Sequence, residues 1–260
     1  MININSVSFK YPTGRFIFSG FSLTIERQSW TVIAGPEGAG KSTLAKLIKG
    51  ILVPSKGFIS FNFNGAIKTE EIGYISGDAS SAIIGITVLD DICFGMENLQ
   101  TSRIEMKRRL HRVLNWTGLK GSEHRLTNTL SGGERQKLAL AGILAIGAKI
   151  LILDESFSML DCLSRRNIRN IINNLRKTVN LTVIEIANRA EDIAASDQVA
   201  FLGHGGKLEF LGPPVQFFSN SLGTNWLSPL EGTYALLSLF SGEDAGIVER
   251  LLMSFDLWRA

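Results

Sequence analysis

Cysteine is scarce here: the 260 residues include two, Cys93 and Cys162, with no CxxC spacing. Both are therefore expected to be reduced, structural thiols rather than parts of a disulfide framework. No secretory leader is expected, because MININSVSFKYP alternates like a strand and has no apolar core. Long apolar runs are lacking too. The longest, over residues 138 to 148, ends at Lys149 and is too short to span a bilayer. The expectation is a soluble, cytosolic chain that works at a membrane only as a peripheral subunit. Charge of one sign is not massed either, with a net charge of +3 and a pI of about 8.9. Neither nucleic acid nor another polyanion is implied as a partner. The densest basic run, Lys107-Arg108-Arg109 with Arg103 and Arg112 nearby, has helical spacing and reads as a solvated helix face. There are no repeats or low-complexity tracts.

What is present suits a globular domain. Hydrophobic residues make up 45% and charged residues 20% of the chain, enough for a core in one large α/β domain or a core with a small appendage. Val7, Phe9 and Phe21-Ser22-Leu23-Thr24-Ile25 alternate as strands do. Trp30-Thr31-Val32-Ile33-Ala34 is nearly all apolar, as in a strand buried on both faces. A helix is expected over 41 to 50, ended by Gly50 and Pro54, and an edge hairpin over 58 to 63. Helical segments follow over 87 to 96, 101 to 117 and 131 to 146. Ile150-Leu151-Ile152-Leu153 is a second buried strand, running into Asp154-Glu155. Ser164 is placed as N-cap of a helix with the stripe Ile168, Ile171, Ile172 and Leu175. Strand 181 to 186, helix 190 to 195, strand 198 to 202 and a hairpin through His204-Gly205-Gly206 complete this part. The last 40 residues carry Trp226, Tyr234 and leucine clusters and are expected to form short helices. Strands alternating with helices argue for a mostly parallel sheet covered by helices.

Gly35-Pro36-Glu37-Gly38-Ala39-Gly40-Lys41-Ser42 matches GxxxxGK[ST] in full, followed by Thr43, between a buried strand and a helix. Such glycines let backbone N–H groups wrap a phosphate chain at a helix N-terminus. Lys41 would reach the β- and γ-phosphates and the Ser42 hydroxyl would bind Mg²⁺. Asp154 can hold the same ion, and Glu155 can polarise an attacking water. Leu130-Ser131-Gly132-Gly133-Glu134-Arg135-Gln136 opens another helix with two glycines behind a serine, a second anion site. One triphosphate has no use for two such sites in one chain. A dimer explains both, each chain's LSGGE capping the nucleotide on the other's phosphate loop.

This heptapeptide, ahead of Asp154-Glu155 and Ser158-Met159-Leu160-Asp161, strongly resembles the nucleotide-binding subunits of ABC transporters, over about residues 1 to 220. Phe9-Lys10-Tyr11-Pro12 is similar to the family's aromatic loop, which implies that Tyr11 stacks on adenine. Gly85-Ile86-Thr87-Val88-Leu89-Asp90-Asp91-Ile92-Cys93-Phe94-Gly95-Met96-Glu97-Asn98 is similar to the ATPases of energy-coupling factor (ECF) importers of vitamins and metal ions, and Leu140-Ala141-Gly142-Ile143-Leu144-Ala145 fits the same group. The resemblance implies an α/β fold: a P-loop NTPase of ABC type with a mostly parallel sheet core, an N-terminal antiparallel β subdomain and a helical insertion over about 77–135. It implies ATP and Mg²⁺ as cofactors, with Tyr11, Gly35, Gly38, Ala39, Gly40, Lys41, Ser42, Thr43, Ser131, Gly132, Gly133, Glu134, Asp161 and Asn188 around the nucleotide. It implies as partners a second ATPase subunit, a transmembrane coupling protein and a substrate-binding membrane protein, at the cytoplasmic face of the membrane. Residues 221–260 would be a C-terminal helical extension, suited to dimerisation.

The pattern breaks at two places. Where the family keeps a glutamine this chain has Gly77, then Asp78, and it has no glutamine between Gln28 and Gln100. Where the family keeps its switch histidine it has Asn188, and His111, His124 and His204 fall elsewhere. Asparagine can donate to a γ-phosphate but cannot titrate or carry positive charge. Smaller departures are Cys162 in place of proline and the lack of proline over 125 to 129. The expectation is a chain that binds Mg-ATP, turns it over slowly or not at all in its own site, and completes a sister's site with LSGGE. A homodimeric, fully active importer ATPase and a non-catalytic nucleotide-sensing module remain open alternatives.

Overall fold

The apolar alternation legible in the sequence becomes two sheets in a computed structural model that describes residues 1–219 except 13, 64 and 78, the side chains of 79 and 80 also lying outside it. Strands β1 (Ile2–Lys10) and β2 (Phe16–Ile25) pair antiparallel, and beyond them come β3 (Trp30–Ala34), α1 (Lys41–Lys49) and β4 (Lys56–Phe61). β4 returns to pair antiparallel with the other side of β1, giving the three-stranded order β2-β1-β4. The segment expected as an edge hairpin is thus a single edge strand.

The second sheet holds β5 (Ile72–Ile75), a strand not expected from sequence. Helices α2 (Val88–Asn98) and α3 (Arg103–Thr117) then form the insertion, and α4 (Gly132–Ala145) packs on both. β6 (Ile150–Asp154), α5 (Cys162–Val179), β7 (Thr182–Ile186), α6 (Ala190–Ala194), β8 (Gln198–Leu202), β9 (Leu208–Gly212) and α7 (Pro214–Phe218) complete the described chain. The order is β5-β6-β7-β3-β8-β9, parallel except for β9. The helices expected over 221–260, and Asp78, lie outside the described residues.

Successive residues of the central strands enter two different cores. Trp30, Val32, Leu151, Leu153 and Val183 face α2 to α6, while Ile33, Ile150, Ile152, Ile184 and Ile186 face α1 and the antiparallel sheet. That is why these strands lack polar alternation: both faces are covered. The helix expected to start at Ser164 begins earlier. Asp161 is its N-cap, with Oδ1 accepting from the Ser164 amide at 2.9 Å. Ser164 is the third helical residue, and the acceptor oxygen of Asp161 fixes the boundary.

Candidate functional site

In the order β6-β7-β3, three loops leave the C-terminal strand ends side by side, the crevice in which open α/β sheets hold ligands. The loop after β3 carries residues 35–42. Of the five helices of nine residues or more among the described residues, α1 alone has no side-chain cap; Thr87, Ser102, Ser131 and Asp161 cap the others. Its N-cap is Gly40, in the left-handed region at φ 97°. The leading amides of α1 therefore keep their donors and dipole for an anion. Lys41 Nζ curls over the loop, donating to the carbonyls of Gly35 (2.6 Å) and Pro36 (3.0 Å). Burial lowers its pKa, and the carboxylates of Glu155, Glu37 and Asp154 oppose that shift.

Ser42 Oγ donates to Asp154 Oδ1 at 2.9 Å, joining the start of α1 to the end of β6. The other oxygen, Oδ2, accepts from the Tyr74 hydroxyl at 2.5 Å. Burial and the Asp154 carboxylate push the Tyr74 phenol up, so it stays a donor at neutral pH. Among the described residues no group of three His, Cys, Asp or Glu side chains could enclose a metal by itself. One hydroxyl and one carboxylate beside a phosphate loop fit Mg²⁺, which keeps waters and shares phosphate oxygens. Tyr11, at the rim, is 37% exposed. It shares a hydrogen bond of 3.3 Å with Thr43 Oγ1 and meets Phe9 edge-on at 5.1 Å, leaving part of its ring open for a base.

Glu155 and Asn188 are brought together in a 160 Å³ cavity, also lined by Phe157, Ser158, Glu185 and Asp192. Glu155 is exposed and has a left-handed backbone, φ 54°. Its amide donates to Ile186 O (3.2 Å) and its carbonyl accepts from the Ser158 amide and hydroxyl (3.1 and 2.8 Å). Strain of this kind, held by surrounding bonds, aims a side chain. Asn188, oriented with its amide nitrogen toward the acceptors, donates to Gly35 O (3.3 Å) and Ala187 O (3.2 Å). It therefore sits against the phosphate loop. Gly77 lies beside Glu155, where an added Cβ would be 3.5 Å from the Glu155 carbonyl oxygen, an ordinary contact. The position has room for a side chain.

Ser131, Gly132, Gly133 and Glu134 form the start of α4. The Ser131 hydroxyl accepts from the Glu134 amide (3.3 Å), and Glu134 Oε2 accepts from the Ser131 amide (2.8 Å), a reciprocal capping box. Arg125, at 2.6 Å, and the Ser131 amide hold the Glu134 carboxyl at about 2. Ser131 and Gly132 are exposed, and the nearest neighbours of a Cβ at Gly132 or Gly133 would be Leu160 and Ser164. The signature turn thus rests on the start of α5 and faces outward. Asp161, which the sequence places among the nucleotide residues, spends its carboxylate on the α5 amides, and those hydrogen bonds lower its pKa.

Sequence reasoning missed Tyr74 and a buried charged cluster. Glu185, Arg169 and Asp192 are 2%, 11% and 6% exposed. An acid inside the apolar strand Thr182–Ile186 was the available signal, since a carboxylate there demands a cation.

The family profile described as ABC transporter matches residues 18–158. The energy-coupling factor transporter ATP-binding protein EcfA1 of Leuconostoc mesenteroides is 35% identical over 226 residues, 84% of this chain and 82% of that protein. Its namesake from Levilactobacillus brevis is 37% identical over 214 residues, 79% and 76% of the two chains. Among solved structures, cbiO1 of Clostridium perfringens, part of the ABC transporter complex cbiONQ, superposes with a TM-score of 0.78 at 27% identity, covering 90% of this chain and 97% of that one. A dimeric bacterial ABC transporter cassette at 22% identity shares the fold, with a TM-score of 0.69 and 82% and 99% covered.

Proposed function

The chain belongs to the ABC transporter family as an ATP-binding subunit, and from that premise we propose that it energises an ECF-type importer of a vitamin or metal ion as the slow member of an unequal ATPase pair. One observation carries this reading. The binding parts, Lys41, Ser42 and Asp154, are in place, while the two positions that depart from the family, Gly77 and Asn188, both lie against the same site. Binding and turnover are separately built, so losing contacts that orient water and γ-phosphate costs rate rather than affinity.

Each side chain then has a task. The α1 amides and Lys41 hold the triphosphate, Tyr11 covers the base, and Ser42 with Asp154 would hold Mg²⁺, which would supply charge against the phosphates. Glu155 is aimed to orient a water. Asn188 offers a neutral donor where a cation would stabilise developing charge, and Gly77 offers no amide. The intact turn 131–133 faces outward, suited to cap a sister subunit's nucleotide. Exposed Met159 and Leu163 beside it are apolar surface for such a partner. Exposed Ile84, Ile86 and Leu126, joined through the Thr127–Ile86 backbone bond, offer a second patch suited to a transmembrane coupling protein, with a substrate-binding membrane protein beyond it. No helix among the described residues is long and apolar enough to cross a membrane, which fits a peripheral place at the cytoplasmic face.

The test is turnover of the purified chain alone and with a sister ATPase. The chain alone should bind ATP and hydrolyse it slowly; brisk hydrolysis rising steeply with protein concentration would instead establish an active homodimer. In the pair, Asn188→His with Gly77→Gln should raise turnover at this chain's site by at least about tenfold.

A further inference from the structure

Two residues on α5, one helical turn apart, carry buried guanidinium groups. Arg169 Nη2 donates to Glu185 Oε1 (2.6 Å) and Oε2 (2.7 Å), and lies 3.0 Å from Asp192 Oδ1. Trp30 Nε1 donates to the same Glu185 Oε2 at 2.7 Å. The guanidinium also sits over two rings, 5.0 Å from the Trp30 centroid and 5.5 Å from Phe157. Arg165, 5% exposed, donates to Leu160 O (2.9 Å) and lies 3.5 Å from Glu191. Apolar side chains of similar volume often stabilise such a location as well as ions do, so stability alone does not account for the charges.

Their placement supplies a further role. Glu185 is three residues before Asn188 and Asp192 is four after it, so both ends of the Asn188 turn are anchored on one guanidinium. Phe157 belongs to the loop that starts with Glu155. Arg165 fixes Leu160, and Leu160 with Ser164 supports Gly132 and Gly133. We propose that Arg169 is a positioning residue: by gripping Glu185, Asp192 and the Phe157 ring, it holds the Asn188 turn, the loop 155–160 and, through the start of α5, the signature turn in one arrangement. None of these partners of Arg169 belongs to the phosphate loop, and none is Tyr11. Arg169 sets geometry for this chain's site and for the site that its signature turn completes, a role that rests on the paired-site reading above.

The experiment uses the complex with a sister ATPase at pH 8, above the value of about 7 to which burial raises Glu185. Arg169→Met should lower kcat about tenfold and leave KM for ATP within about twofold, the mark of an interaction felt only in the transition state. Arg169→Lys, which keeps the charge but loses the planar fork, should recover about a third of the loss. Should Arg169→Met fail to fold, Glu185→Gln, which keeps a partner for Trp30, should show the same split with a loss of about threefold. Unchanged kcat in a folded variant, or a rise in KM alone, overturns the proposal. The unmodified chain is assayed first by itself. Brisk activity there refutes the slow-site reading, and the Arg169 variants are then read on that activity, so the two failures are distinct.

Discussion

Tyr74 occupies one oxygen of Asp154 and leaves the other to Ser42. A carboxylate so divided presents a fixed lone pair to a metal, and partners of this kind commonly govern metal affinity. Tyr74→Phe removes the donor while keeping the ring. Binding of Mg-ATP, followed by calorimetry across a Mg²⁺ titration, should need about tenfold more Mg²⁺, with ATP binding in EDTA unchanged. Equal weakening with and without Mg²⁺ would place Tyr74 in the packing of the loop instead. The candidate binding pattern was legible because a phosphate loop followed by a strand ending in Asp154 has few other uses, and the structure brings Ser42 and Asp154 within 2.9 Å. Tyr74 was not, because its role depends on β5 lying beside β6, a pairing between residues 78 apart such as Ile72 and Ile150. Glu185 signalled a cation from inside an apolar strand, but that Arg169 supplies it depends on α5 packing over β7.

At the scale of elements, helix ends distinguish the two candidate anion sites. The phosphate-loop helix lacks a side-chain cap and the signature helix has a complete one. Ser131→Ala should therefore cost about 1 kcal/mol of stability, read by denaturant unfolding, and should lower turnover at a sister's site more than at this chain's own. The phosphate loop tolerates less. A Cβ on Gly35, at φ 144°, would fall 2.1 Å from the backbone oxygen of Leu202. Gly35→Ala should lose ATP binding in fluorescence titration even where the chain still folds, because β8 backs the loop and cannot yield. Helices α1 to α6 were readable in the sequence, the short α7 was not, and boundaries were not either: Asp161 rather than Ser164 caps α5, since either residue type can cap and only the chain's path decides. The strand expected to turn back at 58 to 63 is a lone edge for a similar reason, its partner β1 lying at the far N-terminus.

Across the whole molecule, the parallel sheet sets the site and also buries the groups that will make stability depend on pH. Glu185 is enclosed between β3, α5 and α6. Burial and the Asp192 carboxylate push its pKa up, while Arg169 and the Trp30 indole pull it down, leaving it at about 7. Arg165, Arg189 and Glu191 face Asp192 from the same cluster, and burial raises that group too. The folded chain thus holds a proton on Glu185 that the unfolded chain, with an ordinary glutamate near ~4.3, has already released. Stability from this group is complete below the unfolded value and is lost as pH rises through about 7. The strongly paired acids Glu105 and Glu134, held at about 2, act in the opposite sense but only in more acid solution. Glu185→Gln cannot ionise, so the stability difference between the unmodified chain and the variant should shift steadily toward the variant from pH 5 to pH 7.5 and level off above it. Urea unfolding at half-unit steps measures this directly. A difference that stays constant over that range would mean that Arg169 keeps Glu185 ionised throughout, and the cluster would then be a permanent ion pair rather than one that titrates near neutral pH.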